Sequence, residues 1–145
     1  MREQSTKTNR QRTTTMKYIL LIIASVGIVT YILAQPIFRP RYTTASWYGG
    51  KTDGLVGKQT ASGEPLDDKA LTCALWDVPF GTRIKVSYKN RFVIVRVNDR
   101  GPNRKRFPGR GIDLTKAAFN RLADPKQGLI KGVKLEVYSF PKQNK

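Results

Sequence analysis

Seventeen consecutive residues without a charge, Tyr18–Ala34, divide this chain of 145 residues into unequal parts. As a helix such a run spans roughly 25 Å at ~1.5 Å per residue. That is slightly less than a ~30 Å hydrocarbon core, and Gln35–Phe38 can extend it. Before it lies a polar tail, residues 1–17, with five basic residues and one acid. The positive-inside rule keeps that tail cytoplasmic and sends the residues after the run out of the cell. The run reads as an uncleaved signal anchor, with the apolar core of a cleaved signal peptide as the alternative. Ile32-Leu33-Ala34 matches a small-residue cleavage site poorly, because Ile32 is large. After a short link (35–41), about 100 residues remain, near the common size of one domain. The expected division is tail 1–17, anchor 18–34, link 35–41, domain 42–140 and basic end 141–145.

The domain is basic in its own right: from Tyr42 onward, 20 Lys/Arg face 9 Asp/Glu. A positive field concentrates anionic partners such as nucleic acid, anionic lipid or anionic wall polymer. Export and the lack of any nucleic-acid motif argue against nucleic acid. One cysteine, Cys73, and no histidine rule out an intramolecular disulfide and a zinc site of the usual type. No metal and no cofactor is expected. Acid–base work falls to carboxylates, Lys, Tyr or Cys73, and Cys73 itself reads as a small buried apolar residue.

Short strands dominate the pattern. Tyr42–Tyr48 is rich in Thr and aromatics. Arg83–Tyr88 alternates, with Ile84, Val86 and Tyr88 on one face, and Lys89-Asn90 makes a turn. Phe92–Val97 is apolar on both faces except Arg96, as in a strand buried on both sides. Gly111–Leu114 is a short strand or a helix entry. From Asp113 the spacing of Leu114, Ala117, Ala118, Arg121 and Leu122 fits one helical face, capped by Asp113 or Thr115. Asp124-Pro125 ends it. Lys131–Tyr138 alternates again, with Val133, Leu135 and Val137 inward. Residues 57–69 read as irregular surface chain. A small mainly-β domain of this kind closes into a barrel or a sandwich.

Asp99 stands where a strand meets a Gly-Pro turn. Read from the residues alone, it is either a structural fastening that accepts backbone N–H groups or the working acid of a site. It continues the parity of Val93, Val95 and Val97. Partial burial on that side would raise its pKa, and a pairing with Arg100 would lower it.

Five segments in order, Ala45–Gly49 (ASWYG), Thr60–Glu64 (TASGE), Val78–Thr82 (VPFGT), Val95–Pro102 (VRVNDRGP) and Ile112–Thr115 (IDLT), give the chain its resemblance to the rare lipoprotein A family. The resemblance runs from Thr43 to about Tyr138. It implies a six-stranded double-psi β-barrel with one short helix, here preceded by an N-terminal transmembrane helix. It also implies a role in the bacterial cell wall, where some members are lytic transglycosylases. The carboxylates of two of the motifs carry over as catalytic candidates onto Asp99 and Glu64. Trp47 and Tyr48 offer aromatic faces for sugar rings, with core packing as their other role; Arg100 and Asp113 join them as expected substrate-binding residues. Leu75 stands where the family's segment has a histidine.

Lytic transglycosylation needs a proton on the glycosidic oxygen and a base for the sugar's own 6-hydroxyl, which closes an anhydro ring. Unlike hydrolysis, it requires no carboxylate to activate water. The expected partners are therefore peptidoglycan glycan strands, the bacterial membrane through residues 18–34, and anionic wall polymers. Arg104-Lys105-Arg106 and Arg110 are the residues that would hold such anions. A wall-binding module without turnover is the alternative.

Overall fold

The computed structural model describes residues 16–27, 39–50 and 53–142. The chain divides into two units, Met1–Ile37 and Phe38–Lys145. Of the first, a helix over residues 16–27 (α1) is described. The rest of the expected anchor, residues 28–34, lies outside the described residues. Among those described, no helix is long and apolar enough to cross a membrane.

The second unit is a closed barrel. Its strands are β1 (Arg41–Tyr48), β2 (Thr72–Ala74), β3 (Arg83–Tyr88), β4 (Arg91–Asp99), β5 (Arg110–Thr115) and β6 (Leu129–Ser139). They close in the order β1-β5-β2-β4-β3-β6. β1 with β5 and β2 with β4 are parallel, and the other four pairings are antiparallel. Closure leaves no unpaired edge. Alternation then sends one face of each strand into a dry interior: Ile84 and Val86, Val93, Val95 and Val97, Ile112 and Leu114, Val133 and Leu135 are buried. Cys73 and Leu75 join them, each fully buried. The mainly-β expectation therefore holds, and the barrel is the architecture the resemblance implies.

Three local expectations need correction. β4 is buried on one face only: Phe92 is exposed, with the Lys85 ammonium over its ring, and Ile94 is half-buried. In a closed barrel the second face of a strand meets solvent, so two-sided apolarity does not mean two-sided burial. Second, the helix α2 is only Lys116–Asn120. Asp113 does not cap it, because β5 runs on to Thr115 and keeps Asp113 in the strand. Thr115 occupies the cap position, but its hydroxyl donates to the carbonyls of Ala70 and Thr72 at the neighbouring β2 instead. Third, Asp124-Pro125 opens a new turn: Asp124 accepts the Lys126 N–H at the head of a 3₁₀ turn, Pro125–Gln127.

Two β-bulges shape the functional end. Between Cys73 and Ala74 the partners on β4 jump from Val97 to Asp99, so Asn98 is the extra residue. Asp99 is consequently half-buried, where the valines before it are fully so. Between Thr44 and Ala45 the partners on β5 jump from Arg110 to Ile112. The extra residue there is Gly111, and any Cβ on it would fall 2.3 Å from the Thr43 hydroxyl oxygen. Glycine is required by that close approach.

Candidate active site

β2 has three residues, too few for any periodic signal, yet it places the site. Its last residue, Ala74, is paired with Asp99 of β4 on one side and with Asp113 of β5 on the other. Two carboxylates from two different strands thus flank one small side chain. Gly101 closes the gap from above: a Cβ there would meet the Ala74 Cβ at 3.1 Å and Asp113 Oδ2 at 3.4 Å. The Gly-Pro turn after Asp99 can rest against Asp113 only because residue 101 has no side chain.

The two acids are held differently. Asp99 Oδ1 accepts the N–H of Ala61 at 2.9 Å and that of Arg100 at 2.8 Å. Asp113 Oδ1 accepts the Ser46 hydroxyl, a short contact across the β1–β5 pairing. Burial raises the Asp113 carboxyl above its ordinary value. The Ser46 hydrogen bond and the Arg110 charge pull it down, the Asp99 charge pushes it up, and the balance is upward. Beside them, the Tyr48 hydroxyl is buried and makes no well-formed hydrogen bond among the described residues, though it lies close enough to Asp99 for that carboxylate to hold its proton. Burial first, and then the charge of Asp99, raise the Tyr48 phenol and keep it protonated. Cys73 is also close to both acids. Burial and their charges raise its thiol, so it supplies no thiolate nucleophile.

Glu64 belongs to a second cluster. Both its oxygens are taken by the Arg96 guanidinium, at 2.6 and 2.7 Å, and Asn98 Nδ2 adds a third contact at 3.3 Å. The Arg96 hydrogen bonds hold its carboxyl below the ordinary range. The TASGE loop is sewn to β4 here, because Ser62 N–H donates to the Asn98 carbonyl while Ala61 N–H reaches Asp99. Glu64 and Asp99 are therefore joined through one loop, with Glu64 fixed in an ion pair.

Arg100 does not pair with Asp99 through its side chain. Its guanidinium donates to the Leu75 carbonyl at 2.8 Å and lies 3.7 Å over the Phe80 ring. Leu75, at the position of the family's histidine, is buried in the core. Trp47 is half-buried against the core and donates from Nε1 to the Pro125 carbonyl. Sequence reasoning misses two other aromatics. Trp76 is 38% exposed with its Nε1 on the Pro102 carbonyl, and Phe80 is 36% exposed beneath Arg100. Both flank the Asp99 turn, and one face of the Phe80 ring carries the Arg100 guanidinium. Ser46 is missed as well; a hydroxyl one strand away from an acid leaves no trace in sequence spacing. Among the described residues no group of three or more metal-ligating side chains is assembled.

A family model described as lytic transglycolase matches residues 42–135. An endolytic peptidoglycan transglycosylase RlpA from Rickettsia typhi is 42% identical over 100 residues, covering 65% of this chain and 30% of that protein. One from Campylobacter jejuni is 42% identical over 102 residues, covering 69% of this chain and 34% of that protein. The chain thus spans about a third of the length of these curated relatives. Among solved structures, a Streptomyces papain inhibitor superposes with a TM-score of 0.55 at 26% identity, over 70% of this chain and 96% of that one. A Clavibacter michiganensis expansin in complex with cellohexaose superposes with a TM-score of 0.53 at 16% identity, over 73% and 54% of the two chains. With five motifs in order, a closed six-stranded barrel and a family match across its length, the chain belongs to the lytic transglycolase family of RlpA-like barrels.

Proposed function

We propose that this barrel cleaves peptidoglycan glycan strands as a lytic transglycosylase, outside the cytoplasmic membrane, where segment 18–34 anchors it. The observation that carries this reading is the pair Asp99 and Asp113 on either side of Ala74. Asp113, whose carboxyl is raised by burial, delivers its proton to the glycosidic oxygen as the C1–O bond breaks. The 6-hydroxyl of the same sugar then bonds to C1, and its proton passes to Asp99. One Asp99 oxygen is occupied by two backbone N–H groups, which leaves the other to accept that proton. Return of the proton from Asp99 to Asp113 resets the pair. No water is consumed, and no imidazole is needed. The Tyr48 hydroxyl donates to the bound sugar beside both carboxylates, and Trp76 and Phe80 receive sugar faces. Glu64 positions the Ala61 N–H through the Arg96 clamp and stays out of the proton transfers.

The test is a digest of purified sacculi by the full chain in detergent micelles. Release of anhydro-muropeptides, lost in both Asp99→Asn and Asp113→Asn, is expected. Reducing-end products would sink the transglycosylase reading in favour of a hydrolase. Pelleting with sacculi without release would favour the wall-binding module, the reading to which Leu75 in place of the family's histidine lends its weight.

A further inference from the structure

The cationic loop after the Asp99 turn plays no part in the proton transfers. Arg104 on this loop and Arg110 at the start of β5 share with Arg41 of β1 a cavity of about 390 Å³. Asp77 is the one acid in its lining. It sits in an ion pair with Arg104 and at 3.5 Å from Arg41. Three arginines against one aspartate leave the cavity two positive charges. Arg110 stacks at 4.0 Å over Phe107, on the cavity wall, and makes no ion pair among the described residues.

This arrangement fits a small oxyanion. Guanidinium forks match carboxylate and phosphate groups in two-point contacts, and stacking on an aromatic ring fixes the plane of the fork beforehand. The pocket is of the size that takes small ligands. Asp77 already shows what the arginines recognise, since its own carboxylate lies between two of them. That ion pair is half-exposed, at 57% and 48% of the two side chains, so an incoming anion can displace it. Asp77 holds its carboxylate there from a left-handed backbone, φ 71°. The cavity is within electrostatic reach of the catalytic pair, because the Arg110 charge is felt by Asp113.

We propose that this cavity is an oxyanion subsite, taking a carboxylate or phosphate group of the wall polymer in exchange for the Asp77 carboxylate. It rests on the glycan-cleaving reading only for the identity of the polymer; binding itself is read without turnover. The full chain in detergent micelles is titrated at fixed ionic strength, once with inorganic phosphate and once with D-alanyl-D-alanine, and followed by calorimetry. Saturable binding of at least one probe is expected. Arg110→Gln weakens it about tenfold, the loss of one charge-assisted contact. Asp77→Asn strengthens it by removing the internal competitor, and asparagine tolerates the left-handed backbone. Phosphate alone assigns the subsite to a phosphate polymer, the dipeptide alone to a stem-peptide carboxylate, and both to the shared chemistry. Absence of saturable binding overturns the proposal, as does binding indifferent to both substitutions, which would be a diffuse charge effect. If Arg110→Gln fails to fold, Asp77→Asn carries the decision alone, because a merely structural ion pair predicts no gain. A sacculus digest that fails leaves this result standing.

Discussion

Asp113 and Glu64 carry the same functional group in opposite surroundings. Glu64 lies on a loop at the barrel rim, half-exposed, with both oxygens filled by Arg96. Asp113 lies in a strand, with a hydroxyl on one oxygen and a second carboxylate nearby. The first is held below its ordinary pKa by its cation, the second above it by burial. A general acid is helped by a raised pKa, and of the two carboxyls the surroundings of Asp113 act in that direction and those of Glu64 against it. The Glu64 ion pair ties its loop to Arg96 of β4, whereas Asp113 is half-buried and holds the single Ser46 hydroxyl on Oδ1.

The largest expected effect breaks the comparison at Asp113. Asp113→Asn keeps the shape and the Ser46 contact but cannot donate a proton. Turnover on sacculi falls by about 10²- to 10⁴-fold, the usual contribution of a general acid. Stability moves the other way. The folded carboxyl is raised above its ordinary value of 3.8, so the unfolded chain loses its proton first as pH rises. Wild type is therefore favoured below 3.8 and loses that advantage as pH climbs through the folded pKa. Urea unfolding at several pH values checks this: the variant's relative stability rises with pH. A variant that is both inactive and progressively less stable with rising pH would show that Asp113 fastens the fold.

A middle-sized effect sharpens the same side of the comparison. Tyr48→Phe removes a buried hydroxyl that makes no well-formed hydrogen bond among the described residues and has only the nearby Asp99 carboxylate beside it. Such a group costs about 1–3 kcal/mol when left unsatisfied, so the variant melts at or above the wild-type temperature. Its turnover falls by about tenfold, the loss of a hydrogen bond that the hydroxyl makes only to the bound sugar. If turnover is unchanged while stability rises, the hydroxyl has no part in the reaction.

How far this was legible from residues depends on the range of the signal. β3 and β6 come from alternation, because each buries one face along five or more residues. The Asp99 turn announces itself through Gly101-Pro102. β2 does not, since three residues carry no period, and without β2 nothing shows that Ala74 separates two acids. Asp113 read as a helix cap because the helical spacing begins around it; the strand overrides that spacing until Thr115. Glu64 read as catalytic by resemblance alone. Its partner Arg96 is 32 residues away, on a strand facing the loop only after the barrel closes.

The smallest effect tests the other side. Glu64→Gln removes the charge that Arg96 holds while keeping a side chain that can still accept a hydrogen bond. The paired side chains are 39% and 44% exposed, so solvent screens them and the variant loses at most about 1 kcal/mol. The loss shrinks in high salt. Its pH dependence is the mirror image of the Asp113 case. Glu64 has a folded pKa below its ordinary value of 4.5, so its contribution is present above 4.5 and lost as pH falls through the folded pKa. Unfolding curves for Glu64→Gln and wild type should therefore converge in acid, whereas those for Asp113→Asn and wild type diverge as pH rises. Turnover should fall only modestly, through a looser Ala61 N–H on Asp99. Conversely, a drop of about 10³-fold, with the pH dependence of stability unchanged, would place the Glu64 carboxylate on the sugar and make Arg96 its activator.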